Sequence, residues 1–228
     1  MTLNARTAIL DRLRQGQANQ NTPAQRDELP PLAELPEAQW RDRFVELLTA
    51  NHADVRLLPA SDAGQDWKSA VKQVLVDYQV QRLALGTSQG ANALQASLLA
   101  DDSSVALTVA DNPLDHRDSA QLDRLFAETQ AGFTTTVAGL AETGSLVLET
   151  GPEEPRQLSL VPPLHIALVF ESDLVANFQA LVAQQRWREG MPTNLLLVSG
   201  PSKTADIQQT LAYGAHGPKE LVVLLVTR

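Results

Sequence analysis

The feature that most constrains the fold of this chain is a set of short, uninterrupted apolar runs separated by stretches with helical periodicity. The runs do not alternate polar and apolar residues, and they lie at Arg82–Leu85, Ile166–Phe170, Leu195–Val198 and Leu221–Val226. Strands of this kind are buried on both faces, which is typical of a parallel sheet covered by helices. The sequence therefore predicts an α/β fold, a mainly parallel sheet with helices on both faces.

Amphipathic spacing and shorter apolar runs predict the remaining elements of this sheet. Helices are predicted at residues 37–50, 61–78, 91–99, 120–128, 172–184 and 204–211, and further strands at 53–58, 105–109, 133–137 and 145–148. Strand and helix thus alternate along most of the chain, as βαβ units require.

The first 36 residues differ from the rest. Residues 3–14 have helical spacing, and residues 15–36 are polar and rich in proline, which indicates a linker or an extended arm. We therefore predict an N-terminal helix with an arm (1–36) and an α/β domain (37–228). The arm is either a disordered connector or a segment that packs against a second subunit of a homo-oligomer.

Composition excludes several classes of function. The net charge is −9 and no basic patch is present, so we expect no binding to nucleic acid. The chain has no cysteine, which excludes disulfides, thiolate metal sites and iron–sulfur ligation through cysteine. No apolar run approaches the ~20 residues that span a bilayer, and the N-terminus lacks the apolar core of a signal peptide. We expect a cytoplasmic protein.

Three turns are candidate ligand sites, because open α/β sheets bind ligands at the carboxyl ends of their strands. In the first, a strand leads through Gly86, Thr87, Ser88 and Gly90 into a helix. Glycine lets the backbone approach a ligand, and the free amides at a helix start favour an anion. A tight strand–helix turn that needs glycine for steric reasons accounts for the same residues.

The second candidate joins an acid and a histidine. Glu142, Thr143 and Gly144 separate two β-like runs, and His165 stands at the start of an apolar strand. A carboxylate and an imidazole there could exchange protons with a substrate. Alternatively, Glu142 caps a turn and His165 hydrogen-bonds to the backbone.

The third candidate lies near the last strand. Ser202, Lys203, Thr204 and Asp206 precede or open a predicted helix, where hydroxyls, a positive charge and free amides suit a carboxylate or phosphate. His216 lies between Gly214 and Gly217 and has no evident packing role. We predict that all three turns, with His216, converge on one cleft.

Other site chemistries fit poorly. Glu142, His165, Asp206 and His216 are suitable metal ligands by type, but their spacing matches no metal motif, so we predict no metal site. No Gly-x-Ser-x-Gly elbow of a serine hydrolase occurs. Neither a P-loop nor a full dinucleotide fingerprint occurs, and we expect no cofactor.

Three segments together resemble the lactate utilization protein C family. They are AETGSLVL (141–148), LSLVPPLHIALV (158–169) and GPSKTADIQQTLAYGAHGPKEL (200–221), and the resemblance extends from about residue 83 to 225. It implies a fold like that of phosphosugar isomerases and coenzyme A transferases. It also implies a role in the oxidation of L-lactate to pyruvate, with two partner proteins of which at least one carries iron–sulfur clusters.

Two functions remain open. The chain is either a non-redox subunit of a lactate-oxidising complex, binding a small anion or the partner proteins, or a stand-alone isomerase- or transferase-like enzyme. The enzyme would act on a small carboxylate, a coenzyme A ester or a sugar phosphate, using Glu142 and a histidine for proton transfer. The fold alone does not choose between them, because one scaffold hosts many chemistries.

Overall fold

The computed structural model describes two compact units, residues 1–34 and 35–228. The described residues are 5–18, 35–59, 66–101, 103–110, 123, 127–184, 187, 190, 192, 194–205, 211–213 and 216–228. In the first unit, helix α1 (Ala5–Ala18) carries Ile9, Leu10 and Leu13 as exposed side chains. The arm predicted after this helix falls largely on residues 19–34, which lie outside the described residues.

The second unit alternates strands and helices. Its helices are α2 (Trp40–Ala50), α3 (Asp66–Asp77), α4 (Gln89–Ala100), α5 (Gln157–Leu160) and α6 (Phe178–Ala183). Its strands are β1 (Asp54–Pro59), β2 (Arg82–Leu85), β3 (Ala106–Val109), β4 (Ala131–Thr135), β5 (Ala138–Leu140), β6 (Ser145–Thr150), β7 (Leu164–Phe170), β8 (Leu174–Val175), β9 (Asn194–Val198), β10 (Lys203–Ala205), β11 (Leu211–Tyr213) and β12 (Glu220–Thr227). None of the described helices is both long and apolar enough to cross a bilayer.

A six-stranded sheet forms the centre of this unit. Its strand order is β1-β12-β7-β4-β2-β3, and every neighbouring pair is parallel. The central strands β7 and β12 are buried over almost their whole length, which explains their uninterrupted apolar sequence. The predicted α/β class with a mainly parallel sheet is confirmed.

Alternate residues of each central strand contact opposite layers. Ile166 and Leu168 of β7 pack in a core with side chains of α3 and α4. Ala167 and Val169 point the other way and pack in a second core with Phe44 and Leu48 of α2 and with Leu174 of β8. This face is therefore covered partly by a helix and partly by a second sheet.

The second sheet has four strands in the order β8-β5-β6-β9. The β5–β6 and β6–β9 pairs are antiparallel, and the β5–β8 pair is parallel. The predicted strand 195–198 is therefore present as β9, but it belongs to this antiparallel layer. The predicted strands 133–137 and 145–148 correspond to β4 and β6, which lie in different sheets.

The crossing segment (residues 151–163) joins the second sheet to β7 and runs across one face of the main sheet. At the carboxyl edge, the carbonyl of Glu153 accepts a hydrogen bond from the amide of Thr87, 2.8 Å away. In the middle, Leu158 of α5 packs against Ala84 of β2. At the amino edge, the carbonyl of Pro163 accepts from the amide of Lys219 at 2.8 Å. The segment thus connects the two edges of the sheet.

Two predicted helices are wrong or displaced. The predicted helix 204–211 is contradicted by β10 and β11, which pair antiparallel with Lys203 opposite Tyr213, while residues 206–210 lie outside the described residues. The predicted helix 172–184 is shortened to α6, because Leu174–Val175 pairs with β5 and the side chain of Asn177 then caps α6 by accepting from the amide of Ala180.

Candidate functional site

A cleft of about 480 Å³ lies at the carboxyl edge of the main sheet. The start of α3 forms one wall, the first turn of α4 forms another, and the ends of β4 and β7 form the floor. The residues that matter chemically in its lining are Trp67, Lys68, Ser88, Gly90, Thr135 and Phe170. We call this space the carboxyl-edge cleft. Its position matches the general rule for ligand sites in open α/β sheets.

The turn that enters α4 contains the first set of predicted residues. Ser88 is the N-cap, and its hydroxyl oxygen accepts from the amide of Ala91 at 3.3 Å. Gly86 is required because a Cβ there would collide with the carbonyl oxygen of Glu153, and one on Gly90 would collide with the Thr135 methyl group. The steric explanation for both glycines is thus correct, and the same close packing places Ser88 and Gly90 in the cleft wall.

Glu154 lies behind this wall and ties two of its hydroxyl groups together. Its Oε1 accepts hydrogen bonds from Ser88 Oγ (2.7 Å), Thr135 Oγ1 (2.7 Å) and the Thr135 amide (3.2 Å). Its Oε2 is buried and has no hydrogen-bond partner among the described residues. Burial raises the pKa of Glu154, while the hydrogen bonds from Ser88 and Thr135 act in the opposite direction.

Lys68 supplies the positive charge of the carboxyl-edge cleft. Its ammonium group lies 5.7 Å from the centre of the Trp67 ring, which in turn stacks on Phe133 with ring centres 6.0 Å apart. Within the described part of the chain, no carboxylate forms a salt bridge with Lys68. The ammonium therefore lies over an aromatic face, and no carboxylate among the described residues neutralises it.

The third set of predicted residues lies elsewhere, at the amino edge of the main sheet. The amide of Ser202 donates to the carbonyl of Pro218 at 2.8 Å, just before β12 begins, and Gly217 is tightly packed against the Ser202 side chain. Lys203 and His216 are exposed. Nothing is described of the Thr204 side chain, and Asp206 lies outside the described residues.

The Glu142 turn joins β5 to β6 in the second sheet. Glu142 and Thr143 are exposed, and the Glu142 amide donates to the carbonyl of Ala176 at 2.9 Å. Gly144 adopts a φ of +60°, a left-handed conformation that favours glycine. Thr143, Ser145 and Ser199 form a chain of hydroxyl hydrogen bonds of 2.7 Å each, which links this turn to the end of β9.

His165 is an interior residue rather than one that faces a cleft. It is the second residue of β7, it is 1% exposed, and its Nε2 lies 2.8 Å from Thr134 Oγ1. Burial lowers the pKa of His165 from 6.5 to about 4, so the ring is neutral at pH 7. Its Nδ1 has no partner among the described residues.

The prediction that all three turns share one cleft is wrong. Gly86 follows the carboxyl end of β2, whereas Pro218 precedes the amino end of β12, and these strands run in the same direction. The Ser202 turn and the Gly86 turn therefore lie at opposite edges. The error has a physical source, since Lys203–Ala205 is a strand and not the start of a helix after a sheet strand.

Sequence reasoning missed Lys68 and Thr135, which line the carboxyl-edge cleft, and Glu154, which lies behind its wall. Glu154 stands in the sequence Gly-Pro-Glu-Glu-Pro (151–155), which has the composition of a solvent-exposed acidic turn. Lys68 follows Trp67 within a helix and has the pattern of an ordinary surface lysine. Only the close passage of the crossing segment over Gly86 brings the carboxylate to Ser88, and no local signal reveals it.

Comparison with known proteins gives one family over most of the chain. A family model described as the LUD domain matches residues 41–226. An uncharacterized protein of Neisseria meningitidis serogroup B is 54% identical over 102 residues, which cover 44% of each chain. Lactate utilization protein C of Deinococcus radiodurans is 36% identical over 119 residues, 50% of this chain and 51% of that protein.

Lactate utilization protein C of Macrococcus caseolyticus is 33% identical over 116 residues, 49% of this chain and 50% of that protein. The chain therefore spans about half the length of the curated relatives that it matches. A crystal structure of a DUF162 family protein from Deinococcus radiodurans superimposes with a TM-score of 0.56 at 24% identity. The superposition covers 85% of this chain and 99% of that one, and it supports the fold.

Proposed function

Because the chain belongs to the LUD domain family, we propose that it acts in lactate utilization, as a subunit that binds a small carboxylate and carries no redox centre. Relatives of this chain bear the name lactate utilization protein C. The sequence has no cysteine to ligate an iron–sulfur cluster. Electrons from lactate would then pass to partner proteins that carry such clusters.

The observation that carries this proposal is the carboxyl-edge cleft. It combines the Lys68 ammonium with the first turn of α4, whose amides have no partner within the helix. A carboxylate is favoured at both groups, since a helix start and a cation each attract negative charge. The proposed ligand site thus includes Ser88 and Gly90 of the predicted set, with Gly86 and Thr87 shaping the turn.

A stand-alone enzyme is a second candidate, which Glu154 favours. A buried carboxyl group with a raised pKa beside a cleft is a common arrangement for acid–base chemistry. In this case the purified chain alone would turn over a small carboxylate, a coenzyme A ester or a sugar phosphate. The non-redox subunit, by contrast, would bind its ligand and release it unchanged.

Complementation of a deletion strain tests the proposal and locates the functional edge. We expect Lys68→Ala to abolish or strongly slow growth on L-lactate as sole carbon source, because it removes the positive charge of the cleft. Lys72→Ala is the matched control, one helical turn further along α3, where the lysine pairs with Asp101. Circular dichroism of each purified variant checks that it is folded.

The double variant Lys203→Ala/His216→Ala tests the amino edge in the same assay. Growth that depends on Lys203 and His216 but not on Lys68 would move the ligand site to that edge. Full growth with both sets of variants would reject an anion site at either edge as the basis of the function. If the isolated chain oxidised lactate with an artificial electron acceptor, the proposal that this subunit has no redox role would be wrong.

A further inference from the structure

We propose that the carboxyl-edge cleft selects hydroxycarboxylates over the corresponding oxocarboxylates. Lys68 pairs with the carboxylate, and the Thr135 and Ser88 oxygens accept a hydrogen bond from the hydroxyl group of the ligand. The inference deepens the proposed function and rests on it for the choice of lactate as a probe. The selectivity itself follows from the hydrogen bonds of the cleft wall.

The hydroxyl hydrogens of the wall are already in use. A serine or threonine hydroxyl has one hydrogen to donate and two lone pairs that accept. Ser88 and Thr135 both donate that hydrogen to Glu154 Oε1, at 2.7 Å each. Ser88 also accepts from the Ala91 amide, which leaves one of its lone pairs free. Any further hydrogen bond at either hydroxyl is therefore one that it accepts.

Glu154 fixes this pattern as a carboxylate and also when its proton lies on Oε2, whereas a proton on Oε1 would be donated to one of the two hydroxyls and break the pattern. As a carboxylate it has no hydrogen to give, and with a proton on the buried Oε2 its Oε1 still accepts from Ser88 and Thr135. The nearby charged group that acts on it is Glu153, which does not donate a hydrogen bond. In the first two states both hydroxyls thus remain acceptors.

A ligand atom placed against Thr135 must consequently be a hydrogen-bond donor. The hydroxyl group of a hydroxy acid meets this need. The carbonyl oxygen of an oxo acid presents a second acceptor to Thr135 and leaves both groups unsatisfied, which is costly in a partly closed site. An unprotonated phosphate oxygen has the same disadvantage at this position.

The opposite preference holds beside Lys68. Its ammonium group is a donor only, and the amides of Gln89 and Gly90 at the α4 start are donors too. This end of the cleft therefore takes the carboxylate. Leu168 and Phe170 add apolar surface to the floor, and the volume of about 480 Å³ exceeds the needs of lactate. A hydroxy acid with a larger apolar side chain fits the remaining space.

Calorimetric titration of the full chain with paired ligands tests this inference. The probes are L-lactate against pyruvate, 3-phenyllactate against phenylpyruvate, and inorganic phosphate. We expect each hydroxy acid to bind about tenfold or more tightly than its oxo partner, as the loss of one matched hydrogen bond in a cleft implies. We expect 3-phenyllactate to bind more tightly than L-lactate.

Variants of Thr135 assign the preference to its hydroxyl group. Thr135→Val keeps the shape but removes the acceptor, and we expect it to reduce the preference to about twofold or less. Thr135→Ser restores the hydroxyl and should restore the preference. Thr150→Val is the control, because the Thr150 hydroxyl donates to the Asn194 carbonyl in the second sheet. Lys68→Ala should weaken the binding of hydroxy acids and of oxo acids to the same extent.

Equal affinity for the hydroxy and oxo acids, binding of phosphate alone, or no binding of any probe would overturn the inference. The first two outcomes leave the proposed role in lactate utilization intact. Conversely, the Lys68→Ala strain could grow normally while calorimetry shows the expected preference for hydroxy acids. This result would reject the cleft as the site needed for growth but would support its selectivity.

Discussion

At the scale of single residues, two buried ionisable side chains differ in their surroundings and in the direction of their pKa shifts. Glu154 touches two side chains that line a cleft, and its pKa is raised. His165 contacts Thr134 in the interior, and its pKa is lowered. The sequence analysis named His165 as a candidate for proton transfer and did not single out Glu154. The position of Glu154 beside the cleft depends on distant segments of the chain.

The buried His165 should make the stability of the protein sensitive to acid. In the unfolded chain the imidazole protonates near its pKa of 6.5, but in the folded protein only near about 4. The unfolded state therefore binds more protons in this window, and the free energy of unfolding falls as the pH drops through it. The expected loss from this group is about 3 kcal/mol between pH 7 and pH 4.

Urea denaturation of the wild type and of His165→Gln at several pH values measures this effect. Glutamine keeps a polar atom near Thr134 but does not titrate, so the variant should lose less stability on acidification than the wild type. The same pH dependence in both proteins would contradict a neutral interior imidazole.

At the scale of elements, apolar runs predicted the strands of the main sheet well because burial on both faces leaves a clear pattern. The elements that were missed are short and depend on their neighbours. Leu174–Val175 is a strand only because β5 lies beside it, and Lys203–Ala205 only because it pairs with Leu211–Tyr213. Two or three residues carry no period that could distinguish a strand from a helix.

Because α5 packs closely against β4, we expect one added methyl group at Gly132 to lower the stability of the protein strongly. A Cβ on Gly132 would collide with the carbonyl oxygen of Leu158, a backbone atom, and would also press on the Pro162 ring. Gly132→Ala should therefore lower the free energy of unfolding by about 3 kcal/mol. Gly151→Ala is the control, since open space surrounds that position, and should change stability by less than about 0.5 kcal/mol.

Chemical denaturation of both alanine variants distinguishes destabilisation by the collision at position 132 from the effect of replacing any glycine by alanine. Similar stabilities for Gly132→Ala and Gly151→Ala would show that α5 can move away from β4. Ligand binding is a second measurement of the same displacement, because the crossing segment also carries Glu154. A displaced α5 should weaken ligand binding in Gly132→Ala and leave it unchanged in Gly151→Ala.

At the scale of the whole molecule, the sequence predicted the fold class, and of the three predicted turns the Gly86–Gly90 turn lies at the carboxyl-edge cleft. The Gly86–Gly90 turn could be found because it follows a sheet strand and opens a helix. Its partners Lys68, Thr135 and Glu154 come from three other parts of the chain. Their arrangement depends on strand order and on the path of the crossing segment, which no single stretch of sequence encodes.

The separate cores predict that residues 35–228 fold without residues 1–34. The larger unit has its own buried cores on both faces of the main sheet. We expect a fragment that begins at Leu35 to be folded, with a circular dichroism spectrum of an α/β protein and a cooperative urea transition close to that of the full chain. An unfolded or insoluble fragment would show that the N-terminal residues are needed for the core.

The pairing of β1 with β12 governs how the molecule can be assembled during its synthesis. The Thr227 hydroxyl donates a hydrogen bond to the Leu58 carbonyl, which is 169 residues away in the sequence. Within the described residues, β12 is the only strand beside β1. A nascent chain emerges from the ribosome with α2, β1 and α3 long before β12 exists. Because non-local parallel pairing is slow to form, β1 can join the sheet only after β12 has been synthesised. Until then, the apolar faces of these early elements are exposed to chaperones and to other nascent chains.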